Sequence, residues 1–282
     1  MAEATNGAGK ASVIRGAQTI DLQEEGSPGV LLLHGFGDTP QTLALLARRL
    51  HKSGYSVYAP LLPGHGRNMA AFDQSRARDW IAAAKAAFGQ MRSRHDTVSV
   101  VGLSMGGALA ILVAAQFDGI PALVLIAPYV GMPWVLRAAA ATHWLWGRVA
   151  GEINARNPLS IRDPAEREKN LAYGAITGRA LFELSRIVRL ARKSLAKVKA
   201  PTLIIQSRED PRVAPMVAES VFKALGAQEK KLVWTDGAGH IITVDYGREL
   251  VFSGVERWLT IHHNYGAAAA ALAKAAADRP GS

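Results

Sequence analysis

Short apolar runs alternate along this chain with segments in which apolar residues recur every three or four positions. The runs are typical of buried strands, and the periodic segments are typical of amphipathic helices. Regular alternation of the two predicts an α/β fold, with a mostly parallel central sheet flanked by helices. The expected strands cover residues 30–33, 55–60, 98–101, 122–126, 202–205 and 231–234.

Helices are expected between these strands, and one of them carries a clear end signal. The amphipathic segment 42–52 is followed by Ser53 and Gly54, and glycine readily takes the left-handed conformation that ends a helix. Further helices are expected at 71–91, directly after the third strand, and at 248–261. In such a sheet, functional side chains lie in loops beyond the carboxyl ends of the strands.

The alternation stops between the fourth and fifth strands, where no strand is expected. A long insertion after a strand predicts a helical cap over the site. We therefore divide the chain into an α/β core, residues 1–128 and 200–263, a helical cap, residues 129–199, and an Ala-rich C-terminal tail, residues 264–282, to which no role is assigned.

One helix of the expected cap is amphipathic. Its apolar face consists of Leu181, Leu184, Val188, Ala191 and Leu195. The opposite face is basic and carries Arg186, Arg189, Lys193 and Lys197. A basic amphipathic helix can lie on a membrane surface. A helix packed on its own domain with a solvated charged face is more common, and we expect that arrangement.

The composition fits a globular protein with a sizeable core, since 49% of the 282 residues are hydrophobic and 20% are charged. The chain has no cysteine, which excludes disulfides and cysteine-based metal sites. Residues 97–117 are uncharged and long enough to span a membrane, but Gly102, Gly106 and Gly107 interrupt them, and a central parallel strand gives the same apolar run. The N-terminus lacks a secretory pattern, so we expect a cytoplasmic protein without a transmembrane segment.

The charge balance narrows the choice of partners. The chain has 33 lysines and arginines against 23 acids, a formal net charge of +10. The sequence contains no dense basic block, zinc-finger spacing or RNA-binding aromatic signature, so no nucleic-acid partner is expected. Transient contact with an anionic membrane surface stays open. Nothing in the sequence indicates the oligomeric state.

The candidate chemistry begins at Ser104, which lies in a Gly-x-Ser-x-Gly turn between a buried strand and a helix. Gly102 and Gly106 lack Cβ atoms, so neighbouring backbone can pack closely around a strained turn. The hydroxyl is then held at a helix N-terminus, where free N–H groups favour developing negative charge. Such turns are common in isolation, so the rest of the chain must supply a base and an acid.

A serine hydroxyl needs a base to remove its proton and an acid to orient that base. Among the eight histidines, His240 lies in a turn-rich loop between the last expected strand and the last helix. The loop after the strand at 202–205 offers two competing acids, Glu209 and Asp210. The chain order serine, acid, histidine is that of one known catalytic arrangement.

The oxyanion formed by attack of a serine needs hydrogen-bond donors. The backbone N–H of Met105, directly after the serine, is one expected donor. The second should come from a loop after an early strand, and the N–H of Phe36 is the best candidate. Nearby, His34 and His65 are expected to organise loops by hydrogen bonding. Asp245 is expected to cap a helix.

Several motifs occur in a fixed order along the chain. They are LHGFG at 33–37, PGHG at 63–66, GLSMGG at 102–107, DPRV at 210–213 and GHIITVDY at 239–246. Together they resemble the bacterial carboxylesterase and monoacylglycerol lipase family of α/β-hydrolases, over about residues 29–259. The resemblance implies that Ser104, Asp210 and His240 form a catalytic triad, with Asp210 rather than Glu209 as the acid. It implies the same oxyanion donors, Phe36 and Met105.

The expected function is therefore that of a serine hydrolase acting on a small-molecule carboxylic ester through an acyl-enzyme. The substrates would be short- or medium-chain acyl esters or monoacylglycerols, and no metal or organic cofactor is expected. A thioesterase, a lactonase or a cofactor-free perhydrolase would use the same residues. A non-catalytic ligand-binding protein on this fold is the alternative from a different class.

Substrate contacts are expected from the cap. The candidates are Trp134, Leu136, Trp144, Leu145, Trp146 and Glu152. The apolar members would line an acyl pocket, although a Trp-rich cap could equally form a small core of its own. Glu152 is the only acid between residues 129 and 160, so it would meet a glycerol hydroxyl unless it is a surface carboxylate.

Overall fold

The structure, a computed structural model, describes residues 12–277, without the side chains of residues 148 and 264–277. This part of the chain contains nine strands. The strands are β1 (Ile20–Leu22), β2 (Gly29–Leu33), β3 (Ser56–Ala59), β4 (Val98–Leu103), β5 (Leu123–Ile126), β6 (Glu152–Asn154), β7 (Ala175–Thr177), β8 (Thr202–Ser207) and β9 (Lys230–Thr235).

Seven strands form one sheet, in the order β1-β3-β2-β4-β5-β8-β9. All neighbours are parallel except β1, which runs antiparallel to β3. This is the mostly parallel α/β sheet that the alternation predicted. The short edge strand β1 was not expected, because three residues are too few to produce a recognisable pattern.

Ten α-helices are described. They are α1 (Ala44–Lys52), α2 (Met69–Gln74), α3 (Ala77–Arg92), α4 (Met105–Ala114), α5 (Trp134–Ala141), α6 (His143–Ala150), α7 (Pro164–Lys169), α8 (Gly178–Ser194), α9 (Pro215–Ala224) and α10 (Arg248–Ala277). The single helix expected at 71–91 is two helices, because Ser75 has an extended backbone and Asp79 accepts a hydrogen bond from the N–H of Arg76 to start the second.

The last helix is longer than predicted. It runs through the alanine-rich stretch to Ala277, in keeping with the high helix propensity of alanine. Residues 264–277 of the expected tail therefore continue α10, and residues 278–282 lie outside the described residues.

The core occupies both faces of the sheet. Along β2, Leu31 and Leu33 pack into one apolar cluster and Val30 and Leu32 into the other. All four are fully buried. A strand covered on both faces has no polar positions, which is why the run is continuously apolar in the sequence.

The segment between β5 and β8 holds helices α5 to α8 and a second sheet, in which β6 and β7 pair antiparallel. The expectation that this segment has no strand is therefore wrong. Each strand has only three residues and its partner lies more than twenty residues away, so no local alternation announces it. Helix α8 buries its apolar face, as predicted, and packs against α4.

Among the described helices, none is both long enough and apolar enough to cross a membrane.

Candidate active site

Ser104 lies where β4 turns into α4, with φ 57° and ψ −118°. This is a strained conformation for a residue with a side chain, and it lifts the hydroxyl away from the sheet. Two glycines make the turn possible. A Cβ at Gly106 would lie 1.9 Å from the carbonyl oxygen of Leu33, and one at Gly102 would lie 2.2 Å from that of Gly106.

A continuous line of hydrogen bonds runs through three side chains. The Nε2 of His240 lies 2.8 Å from the Oγ of Ser104, and its Nδ1 lies 2.8 Å from an Oδ of Asp210. The three residues follow β9, β4 and β8, so the sheet brings its carboxyl ends together at one edge. Each residue is less than a tenth exposed.

Asp210 is held as a carboxylate by its surroundings. Burial by itself raises the pKa of Asp210. The charge and hydrogen bond of His240, together with the N–H groups of Arg212 and Val213, lower the pKa by more than burial raises it, so it lies below its ordinary value. Gln206 donates a further hydrogen bond of 2.9 Å. Because an ionised carboxylate only accepts, the proton of neutral His240 lies on Nδ1 and Nε2 faces Ser104 with a lone pair.

The two other acids considered from the sequence lie elsewhere. Glu209 accepts a 2.6 Å hydrogen bond from the N–H of Gly237. The expectation that Asp245 caps a helix is wrong, because α10 begins only at Arg248. Its carboxylate instead accepts from four backbone N–H groups, those of Arg162, Asp163, Gly239 and Tyr246. It thereby ties the segment before α7 to the loop of His240, a contact over about eighty residues that no local pattern indicates.

The two predicted oxyanion donors come from different segments of the chain. Phe36 lines the same cavity as the serine. Met105 is the first residue of α4, where helix geometry leaves amide groups without partners. Within the part of the chain that the structure describes, neither N–H donates to a protein acceptor.

His34 and His65 are fully buried and touch edge to face. The Nε2 of His34 accepts from the N–H of Leu62, so its Nδ1 donates to the carbonyl of Gly35. Burial lowers the pKa of His34 to about 4, and burial followed by the charge of His34 lowers that of His65 well below its ordinary value. Both rings are therefore neutral at pH 7 and hold the loops around them.

Sequence reasoning missed one buried acid beside the site, Asp38. Its carboxylate accepts from the N–H of Thr39 at 2.8 Å and from the hydroxyl of Thr42 at 2.7 Å. It lines the cavity that contains Ser104. Burial raises its pKa to about 6, and hydrogen bonds and the charge of His240 partly offset that rise. Its position directly after LHGFG was the available signal.

The cavity at Ser104 has a volume of about 1190 Å³. Its wall includes Leu136 and Trp146, two of the expected cap contacts, and the buried Leu181 and Leu184 of α8. Trp134, Trp144, Leu145 and Glu152 are absent from this wall. They are all exposed, and Trp144 and Glu152 line a separate cavity of about 540 Å³. The sequence could not show which of these residues line the cavity, because that depends on how the helices of this segment pack.

Polar contacts fasten the cap segment to the site. The carbonyl of Ser160 accepts from the N–H groups of His240 and Ile241, both at 2.9 Å. Arg212, which follows Asp210 closely, donates to the hydroxyl of Ser160 and to the carbonyl of Ala155. The loops of Asp210 and His240 are therefore both bonded to the same stretch of chain, residues 155–160.

A mostly parallel sheet that carries a serine on a tight strand-to-helix turn, followed along the chain by an acid and a histidine, defines the α/β-hydrolase class. The family model described as "Serine aminopeptidase, S33" matches residues 27–246. The chain belongs to this family.

Named relatives refine the comparison. The chain is 31% identical over 239 residues to a thermostable monoacylglycerol lipase of Bacillus sp. (strain H-257), covering 85% of this chain and 92% of that protein. It is 24% identical to a carboxylesterase of Bacillus subtilis (strain 168), covering 83% and 93%. A solved structure reported for the metagenome-derived lipolytic enzymes LipS and LipT is similar with a TM-score of 0.77 at 33% identity, covering 89% and 100%.

Proposed function

We propose that this chain is a serine hydrolase that cleaves carboxylic esters with apolar acyl groups, such as short- or medium-chain acyl esters or monoacylglycerols. The observation that carries the proposal is the line of two 2.8 Å contacts from Ser104 through His240 to Asp210, which ends at a large cavity. The activities for which the relatives are named, those of a monoacylglycerol lipase and a carboxylesterase, support esters as the substrate class.

In the first step, the Oγ of Ser104 attacks the ester carbonyl while the Nε2 of His240 takes the hydroxyl proton. The imidazolium that forms is stabilised by Asp210, whose lowered pKa keeps it ionised. The same hydrogen bond holds the ring in the orientation that the transfer needs, since Nδ1 is already occupied.

The negative oxygen of the tetrahedral intermediate is then held by the N–H groups of Phe36 and Met105. Each such donor contributes roughly 3 kcal/mol to lowering the barrier. The alcohol leaves with the proton of His240, and a water molecule repeats the sequence to release the acid and regenerate Ser104.

The cap supplies the acyl side of this proposal. We assign residues 129–199 to a cap that covers the site and residues 12–128 and 200–263 of the described chain to the catalytic core. Leu136, Trp146, Leu181 and Leu184 give the cavity an apolar patch on the cap side, beside polar wall residues that include Arg156, Asn157 and Glu168. The apolar patch favours a hydrocarbon chain as the acyl group.

The decisive experiment compares the Ser104→Ala variant with the parent chain in the hydrolysis of p-nitrophenyl esters of graded acyl length. We expect kcat to fall by about 10⁴-fold or more, together with loss of labelling by a fluorophosphonate. Ser93→Ala, at an exposed serine that bonds only the carbonyl of Gln90, is the matched control and should keep full activity.

Retained turnover in Ser104→Ala would refute the assignment. Parallel assays with a thioester and a p-nitroanilide of the same acyl group compare esterase activity with two alternatives. The thioester tests for thioesterase activity, and the p-nitroanilide tests for the aminopeptidase activity for which the family is named. A higher kcat/KM on either of these would replace the proposed substrate class while leaving the nucleophile in place.

A further inference from the structure

The wall of the cavity at Ser104 has two parts of different character. On one part lie apolar side chains of α5, α6 and α8, among them Leu136, Trp146 and Leu184. The other part comes from the stretch after β6 and from the loop of Asp210, and it is rich in polar and charged side chains. We call six of these side chains the donor patch: Arg156, Asn157, Ser160, Arg167, Asn170 and Arg212.

Arg212 connects the two segments that form the donor patch. Its Nε donates to the Oγ of Ser160 at 2.9 Å, and its Nη2 donates to the carbonyl of Ala155, directly before Arg156, at 2.6 Å. Because the oxygen of Ser160 accepts this bond, its hydroxyl proton is left to donate. The charge of Arg212 also interacts with that of Asp210, which partly balances it.

Arg167 is bonded to the same loop from its other side. Its Nη1 donates to the carbonyls of Pro158 and Ile161, at 3.2 Å and 3.1 Å. The carbonyl of Arg167 in turn accepts from the N–H of Asn170 at 3.3 Å. Arg167 and Arg212 are therefore both held against residues 155–161, the loop that itself carries the other arginine of the patch.

The two amide side chains of the donor patch have their oxygens occupied. The oxygen of Asn157 accepts from the N–H of Leu159 at 2.9 Å, and that of Asn170 accepts from the N–H of Ala172 at 3.0 Å. Within residues 12–277, neither side-chain NH2 group has an acceptor in the protein. The patch therefore offers hydrogen-bond donors whose acceptors are already used.

The donor patch also carries unbalanced positive charge. In the described part of the chain, Arg156 and Arg167 take part in no ion pair within 4 Å. Two acids lie on the cavity wall, the exposed Glu168 and the buried Asp38. The carboxylate of Asp38 is bonded within its own loop, so Glu168 is the one acid on the same stretch of wall as the two arginines.

We propose that the donor patch binds an anionic oxygen group, a phosphate or a carboxylate, on the alcohol side of the ester substrate. Guanidinium groups bind both of these groups through paired N–H donors, and the amide and hydroxyl donors complete the set. With the acyl chain against the apolar part of the wall, the alcohol lies at the other part. This inference rests on the proposed function and adds that the preferred alcohol carries a negative charge.

The test compares kcat/KM for monobutyrylglycerol phosphate with kcat/KM for monobutyrylglycerol. The parent chain should prefer the phosphate ester by about tenfold or more, and added salt should reduce this preference. A second matched pair, the butyrate of p-nitrophenol and that of a carboxylated p-nitrophenol, presents a carboxylate instead. Preference in both pairs indicates a general anion subsite, and preference in one pair alone identifies the anion that the patch selects.

The double variant Arg156→Gln/Arg167→Gln should lower the preference for the anionic ester by about fivefold, since both side chains are exposed and partly screened. Arg156→Lys/Arg167→Lys keeps both charges and should retain most of the preference. The matched control is Arg48→Gln/Arg137→Gln, which removes two exposed arginines outside the cavity wall and should keep the preference of the parent chain.

Binding without turnover separates this inference from the proposed function. In isothermal titration calorimetry, Ser104→Ala should bind monobutyrylglycerol phosphate about tenfold more tightly than monobutyrylglycerol. If Ser104→Ala keeps its esterase activity but shows this difference in affinity, the anion subsite stands and the proposed reaction is wrong.

Three results would overturn the proposal. The first is equal kcat/KM and equal affinity for the anionic esters and their neutral partners. The second is an unchanged preference in Arg156→Gln/Arg167→Gln. The third is an equal fall in that variant and in Arg48→Gln/Arg137→Gln, which would assign the preference to the net charge of the chain.

Discussion

The sheet edge and residues 129–199, which we assign to a cap, line one cavity but are built in opposite ways. At the sheet edge, Asp210 accepts hydrogen bonds from two backbone N–H groups and two side chains, and a Cβ at Gly106 would have no room at all. In the cap, the strands β6 and β7 have three residues each, and Trp134 and Trp144 extend into solvent.

The difference shows how the two tasks are divided. Proton transfer needs atoms fixed to within a few tenths of an ångström, and a parallel sheet with saturated hydrogen bonds supplies that precision. An apolar substrate needs only an apolar wall of suitable shape, and short helices can provide such a wall without fixing each atom. Changes at the sheet edge should therefore act on kcat or on folding, and changes in the cap should act on KM.

The largest effect is expected from Asp210→Asn. The amide leaves the geometry intact but favours the wrong tautomer of His240, and kcat should fall by about 10⁴-fold. Glu209→Gln is the control, because that carboxylate bonds only Gly237 and does not reach the histidine. Comparable losses in the two variants, measured in steady-state kinetics, would contradict the choice of acid.

The packing of the turn at Ser104 gives the next effect. Gly106→Ala places a Cβ 1.9 Å from the carbonyl oxygen of Leu33, so the free energy of unfolding should drop by roughly 3 kcal/mol or more. In α3, Gly89 has no atom within 4 Å of such a Cβ. Gly89→Ala should therefore raise stability by about 0.5–1 kcal/mol. Urea unfolding measures both, and a harmless Gly106→Ala would show that the turn is looser than described.

Buried neutral histidines make the core sensitive to acid. The pKa of His34 and that of His263 are each lowered to about 4, mainly by burial. The unfolded chain takes up these protons near pH 6.5, so stability is complete above that pH and is lost as the pH falls towards 4. Each group contributes about 3 kcal/mol. Asp38, with its raised pKa, acts in the opposite direction but is a single group.

Urea unfolding between pH 7.5 and 4.5 measures this loss. His263→Asn, outside the site, should keep folding at pH 7 while flattening the pH dependence, since the amide can still bond the hydroxyl of Ser99. An unchanged slope in that variant would assign the acid sensitivity to other groups.

A cap variant should change substrate selection more than chemistry. Trp146→Ala removes part of the cavity wall, so KM for a medium-chain ester should rise by about tenfold, with kcat for an acetate ester almost unchanged. Trp134→Ala, at a side chain outside the wall, is the control and should change neither. A fall in kcat for the acetate would mean that the cap also positions the catalytic groups.

The smallest effect is expected from Asp38→Asn. Burial raises the pKa of Asp38 to about 6, so its carboxylate gains a charge on the cavity wall as the pH rises through that value. The pH profile of kcat/KM of the parent chain should therefore carry a small step near pH 6, and Asp38→Asn should remove that step. Glu168→Gln removes a carboxylate from an exposed part of the cavity wall, where water screens its charge, and should leave the step in place. Loss of the step in both variants would assign it to net charge alone.

Local features of the sequence were sufficient for the frame of the molecule. The apolar runs predicted six of the seven strands of the main sheet, because a strand that is buried on both faces has apolar residues at consecutive positions. The Gly-x-Ser-x-Gly turn pointed to Ser104, and the loops after the last strands pointed to His240 and a pair of adjacent acids. The resemblance of the ordered motifs then selected Asp210 from that pair. These signals are local because strand burial and turn geometry depend on neighbouring residues.

Only the tertiary structure decided which groups meet. It brought Asp38 to the wall of the cavity that contains Ser104, and it bonded the carboxylate of Asp245 to the backbone of Arg162 and Asp163. It also turned Trp146 towards the cavity and left Trp134 and Trp144 in water. These outcomes depend on contacts between residues far apart in the chain, and such contacts are fixed by packing and by competition for hydrogen bonds, which no short stretch of sequence contains.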